Sequence, residues 1–209
     1  MNKELNEKLV EYIEKEIFPL YDRNEFAHGI NHIKTVIRRS LELADGYDVD
    51  FNIVYTVAAY HDLGHFIDRK RHEIISAEMF MKDENIKRWF ADEQRMVIKE
   101  AIEDHRASCN HVPRTIYGKI VSTADRTITD IDNTIKRSYT YEKKNYIGLS
   151  EEEQFERVYE HLVEKYGENG YANVYLEDKE FDEAVSKLRQ ALENREEFIE
   201  RVKRVVNDL

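Results

Sequence analysis

Between Ala58 and Glu73 the chain reads AAYHDLGHFIDRKRHE, which sets His61, Asp62, His65 and His72 close together directly after an apolar run. Imidazole nitrogens and carboxylate oxygens are the donors used for proton transfer near neutrality and for binding divalent ions. The bases Arg69, Lys70 and Arg71 stand among them and would draw an anionic substrate towards that stretch.

Helical spacing extends the set. Val54, Val57 and Ala58 lie seven, four and three positions before His61, and Ala58 lies four before Asp62, so the core face of one helix runs into both residues. Val97, Ile98 and Ala101 lead in the same way to His105, Ile120 and Val121 lead to Asp125, and His32 precedes Val36 by one turn. A single histidine on an apolar face is most often a satisfied core residue, and an adjacent His-Asp pair arises readily by composition. Buried aspartates at two separate helix ends are different, because each is costly unless paired, protonated or metal-bound. One shared cation resolves several such costs at once. With nitrogen and oxygen donors and no thiolate, Mn, Fe, Zn, Co or Mg would suit, one or two per chain. Four protein ligands on an ion that prefers six leave room for water and a substrate oxygen, as hydrolysis requires.

The elements that would position these residues are helices. Leu5, Leu9, Tyr12, Ile13 and Ile17 recur with helical period up to Pro19, and the loop YDRNEF follows. NHIKTVIRRSLELADG forms a second helix closed by Gly46, and Asp50 caps a third, FNIVYTVAAYHDL, ended by Gly64. Further helices are expected over 72–82 and 92–105, and one beginning at Pro113 and continuing through RTIYGKIVSTADRTI into IDNTIKRSYTY. Gly148 breaks it, Ser150 and Glu153 form a capping box for the next helix, and Phe181 to Val206 make one long terminal amphipathic helix. The tyrosine-bearing stretches YTYEKKNYIG and YGENGYANVYLED could close over a site, although packing is the commoner use of such residues.

With 2 Pro, 7 Gly and 41% hydrophobic residues in 209, the composition indicates an all-α fold with a real core, organised as one domain over 1–209. The motif-bearing core spans about 28–126, and helices over 150–209 are expected to pack on it. A net charge of −11 disfavours a DNA-binding face. MNKELNEKLVEYIEKE offers neither a signal-peptide core nor a membrane span, and Cys109 is the one cysteine, so a cytoplasmic location without membrane association is expected. Cys109 lies between His105 and His111, a metal-compatible arrangement, although an idle thiol is the commoner condition. A homodimer is compatible with the apolar helical faces.

The order HGINH, HDLGH, RHEIISAE, IEDH and STADR over His28 to Asp125 resembles the HD superfamily of metal-dependent phosphohydrolases. The resemblance implies a helical bundle in which His32, His61, Asp62 and Asp125 hold a metal. In two-metal members two more histidines join, here His72 and His105, with Asp62 as the bridge; the alternative is that they face the substrate, or that His72, in its basic stretch, faces solvent. It further implies that His65 faces the reaction centre beside Asp62, to protonate a leaving oxygen or hold the attacking water, or else lies behind it once the helix has ended at Gly64. His28 would line the pocket or hydrogen-bond a ligand from behind, or else mark an exposed helix start. Arg126, Lys34 and Arg38 could neutralise phosphate, or serve as surface ion pairs. The implied activity is hydrolysis of a nucleotide or other small phosphoester by attack of metal-bound hydroxide. A catalytically degenerate HD domain used for nucleotide sensing or protein interaction is the alternative, and oxygenase chemistry at a di-iron site a third.

Overall fold

A computed structural model describes residues 2–24, 28–126, 128 and 130–207. The protein is all-α, and among the described residues every regular element is helical. The chain divides into two compact units, Met1–Arg126 with Val174–Glu177, and Thr127–Asn173 with Asp178–Leu209.

The first unit opens with α1 (Glu7–Tyr12), capped by the Asn6 side chain, which accepts from the Lys8 and Leu9 amides. The helix does not stop before Pro19 as its sequence suggests. It widens into a π turn over Ile13–Ile17 and tightens into a 3-10 segment over Phe18–Arg23, where Pro19 falls in the first turn and lacks only an amide that no helical partner needs. The last two residues of the YDRNEF loop lie outside the described residues.

Next come α2 (Ile30–Ala44), α3 (Phe51–Tyr60), α4 (His72–Lys82), α5 (Asp92–Glu103) and α6 (Ile116–Asp125). Helix α3 is the axis. Every residue from Asn52 to Tyr60 is buried, and it packs on α2, α4, α5 and α6. Its start follows the expected cap, the Asp50 carboxylate accepting from the Asn52 amide. Its end differs from expectation, since regular helix stops at Tyr60 and residues 61–67 form successive turns. Gly64 serves close packing there. A Cβ at this position would lie 2.8 Å from the Ile75 side chain and 2.9 Å from the His72 carbonyl, and the Gly64 amide donates to Ser76 Oγ at 2.8 Å. Gly46 likewise has no positive φ, so α2 ends through ordinary right-handed turns.

The second unit holds α7 (Ile131–Asn145), α8 (Glu151–Tyr166), α9 (Lys179–Leu192) and α10 (Arg195–Asn207). The helix expected to run from Pro113 into IDNTIKRSYTY is two. Thr115 caps α6, whose regular helix ends at Asp125, and Asp130 caps α7 through the Asn133 amide, while the passage at Thr127 and Thr129 lies outside the described residues. The Ser150–Glu153 capping box is present, and Gly148 takes φ +103° just before it. The long terminal helix also divides, because Asn194 Oδ1 accepts from the Glu197 amide and starts α10 afresh. Inside this unit the buried Glu142 lies 3.6 Å from Arg157 and 3.4 Å from His161.

Candidate metal centre

Five elements of the first unit deliver side chains to one place. His28 precedes α2, His32 lies in its first turn, His61 and Asp62 follow α3, His72 opens α4, His105 follows α5, and Asp125 ends α6. Asp62 stands in the middle. Its Oδ2 lies 2.6 Å from His28 Nδ1 and 3.6 Å from both His32 Nε2 and His61 Nε2. Its Oδ1 faces the other way, 3.2 Å from His72 Nε2 and 3.5 Å from His105 Nε2. Asp125 Oδ1 closes the first side, 3.1 Å from His32 Nε2 and 3.7 Å from His61 Nε2.

Three of the rings are held alike. Nδ1 of His61 meets the Ala58 carbonyl at 2.8 Å, Nδ1 of His72 the Arg69 carbonyl at 2.9 Å, and Nδ1 of His105 the Ile102 carbonyl at 2.7 Å. A carbonyl only accepts, so each Nδ1 carries a proton, and a ring without a second proton turns the lone pair of Nε2 inward. That is the outer hydrogen bond usual for a metal-binding histidine. The His61 ring is fully buried and its Nε2 has no hydrogen-bond partner, although two carboxylate oxygens stand within 3.7 Å. His72 Nε2 and His105 Nε2 approach to 3.1 Å, lone pair against lone pair unless a cation lies between or beside them. Lone pairs aimed at carboxylates and at each other need positive charge at both sides of Asp62. The donor set therefore fits divalent ions, with His32, His61, Asp62 and Asp125 around one position and Asp62, His72 and His105 around the other.

The electrostatics agree. Burial alone would depress the His61 pKa, yet Asp62 and Asp125 override it and raise the ring to about 9. Burial likewise works against ionising Asp62 and Asp125, but His61, His28 and His105 hold the first, and His32 and His61 the second, well below the usual carboxylate range. Burial, helped by the neighbouring His105, lowers His72 despite the pull of Asp62. The side chains of Asp125 and His28 keep 22% and 25% exposure against 3% or less for Asp62 and His61, so the centre opens to solvent beside them.

His65 is buried and stacks on His28, with centroids 3.9 Å apart and planes 19° from parallel. Burial first, and then the His28 ring, depress its pKa to about 3. Arg126 is buried too. One guanidinium nitrogen donates to the His105 carbonyl at 3.3 Å and to Ser122, and the group lies 5.6 Å from the Tyr175 ring. Ser122 Oγ donates to the same His105 carbonyl at 3.0 Å. Arg38 is paired with Glu42 at 2.6 Å, whereas Lys34, Lys70 and Arg71 are exposed.

Sequence reasoning missed Asn24, whose amide nitrogen donates to the His28 carbonyl at 3.1 Å and the Asp62 carbonyl at 3.0 Å, tying the two ligand segments together. No local pattern marks a contact across that separation. Ser122 did leave a signal, since it sits four positions before Arg126 among apolar neighbours.

Helices whose inward faces end in imidazoles and carboxylates around one buried carboxylate make a helical unit built around a candidate metal centre. Residues 29–130 match the family model of the HD domain. Among solved structures, the chain is similar to a crystal structure at 1.45 Å resolution described as a predicted HD superfamily hydrolase from an uncultured Thermotogales bacterium. It is 23% identical, with a TM-score of 0.49 and coverage of 75% of this chain and 93% of that one. No curated protein matches the chain. No described helix is long and apolar enough to cross a membrane.

Proposed function

We propose that the protein is a metal-dependent phosphohydrolase acting on a nucleotide or another small phosphoester. The observation that carries the proposal is the set of inward lone pairs on both sides of Asp62, together with an opening beside Asp125 through which a substrate oxygen can arrive. A divalent ion held there would supply an acidified water and neutralise charge on the transferring phosphoryl oxygens.

The chain's own residues do the rest. Asp62 keeps two ligand sets in register through one carboxylate, and the backbone carbonyls of Ala58, Arg69 and Ile102 fix the ring orientations. His65 is neutral at working pH, so of the two roles open to it, holding and orienting a water suits it better than supplying a proton. Asn24 maintains the spacing of His28 and Asp62.

The test is metal analysis followed by a phosphate-release screen with added Mn, Mg, Co or Zn. Turnover should appear with at least one ion and vanish in Asp62→Ala, together with metal retention, while helical circular dichroism is kept. Full activity in that variant would refute the assignment. Stoichiometric metal with no turnover of any phosphoester would favour a sensing domain instead.

A further inference from the structure

The loop between α5 and α6 carries a second group of ligand-type side chains that the centre does not use. Asp104, Cys109 and His111 bring a carboxylate oxygen, a thiol sulfur and an imidazole nitrogen within 4.8 Å of one another. They line a cavity of about 740 Å³ together with Glu73, Arg106 and Arg114.

The histidine repeats the signature of the main centre. His111 Nδ1 meets the Val112 carbonyl at 3.0 Å and must donate to it, so Nε2 of the neutral ring turns a lone pair towards Asp104 Oδ1, 3.7 Å away. Two bonds of about 2.0–2.2 Å to one ion span that separation. Asp104 is buried and its carboxylate is already fixed. Oδ2 accepts from the Arg114 backbone amide at 2.7 Å, and the guanidinium reaches Oδ1 at 2.8 Å. Arg114 also gives a 2.7 Å bond to Glu103, which Lys99 pairs from its other side. Cys109 is half-buried on the same side, close enough to complete a sulfur, nitrogen and oxygen set.

We infer that Asp104, Cys109 and His111 form a separate thiolate-containing cation site, suited to zinc and open at a fourth position. Mixed S, N and O donors match zinc, and binding would release the thiol proton to solvent. The site lies between helices that supply His105 and Asp125 to the main centre, and it requires nothing of the reaction proposed above.

Metal-free, full-length, reduced protein titrated anaerobically with cobalt(II) separates the two sites. The main centre contains only nitrogen and oxygen donors, so a near-ultraviolet thiolate-to-cobalt charge-transfer band reports the loop alone. The band should saturate in the wild type, be absent in Cys109→Ser, and require about tenfold or more cobalt in His111→Ala, with helical content unchanged in both. Cobalt uptake by the wild type without the band would overturn the inference. So would an unchanged titration in His111→Ala, which would mark an exposed thiol binding cobalt by itself.

Discussion

Without a metal, the positive charge that Asp62 and Asp125 demand at His61 is supplied by a proton, retained up to about pH 9. The unfolded ring titrates near about 6.5. Its contribution to stability is thus complete below that value and is lost as pH rises towards 9. His65 behaves oppositely. Its folded value of about 3 means that the fold selects the neutral ring, and stability falls as pH drops from about 6.5 towards 3. The depressed Asp62 and Asp125 add to the acid-side loss once pH falls below the ordinary carboxylate range. Metal-stripped protein should therefore show its highest Tm near about pH 6.5. A metal takes the place of the proton on His61, so metal-saturated protein should not weaken between neutrality and pH 9. Thermal melts of both forms across that range check this, and a metal-free Tm that climbs steadily with pH would contradict it. At the same scale, His72→Ala removes one of the two rings facing Asp62 Oδ1 and should lower the metal stoichiometry from two to one.

Among the elements, α4 packs tightly against the turn that follows α3. Gly64 admits it so closely that Gly64→Ala must displace Ile75 or the His72 backbone, at a cost of about 1–3 kcal/mol. The variant should melt lower and lose affinity for the second ion before the first, because His72 moves with α4 while His32 and His61 do not; calorimetry with metal titration reads both. Asn194→Ala should cost about 1 kcal/mol by uncapping α10, with no effect on metal uptake.

These two positions also show what was legible in the sequence. Periodicity located α4 from His72 to Lys82, because the helical recurrence of Ile75, Met79 and Phe80 is local. Gly64 reads in the sequence as the stop of α3, which ends four residues earlier at Tyr60; its use for close packing depends on α4, which sequence cannot bring alongside. The break at Asn194 has a local signal, Asn194 with Glu197 three positions on, but the apolar stripe continues through it and outweighs that cap. At the centre, the inward phases of His61, His105 and Asp125 were readable one helix at a time. The sharing of Asp62 between two sets of rings, and the burial of Arg126 against the His105 carbonyl, exist only once the helices pack.

For the molecule as a whole, all the ligand residues of the main centre belong to the first unit, so metal binding should stabilise that unit selectively. At a free metal concentration a thousandfold above Kd, the gain is about 4 kcal/mol per site. Calorimetry should show the transition of the first unit moving upward with added metal and downward with chelator, while that of the second unit stays in place. A uniform shift of both would show that the units do not unfold independently.

The four residues Val174–Glu177 give this unit a history as well as a shape. Tyr175 donates its amide to Thr123 Oγ1 at 3.1 Å and sets its ring near Arg126, on the helix that ends in Asp125. On the ribosome, Asp125 is made about fifty residues before Tyr175, a delay on the order of several seconds at ordinary elongation rates. Throughout that interval every residue of the candidate metal centre exists but the segment beside Thr123 and Arg126 does not. A nascent chain contains these side chains before it can finish the unit that carries them, so a fragment stopped at Arg126 would reproduce a stage of synthesis and not the complete first unit.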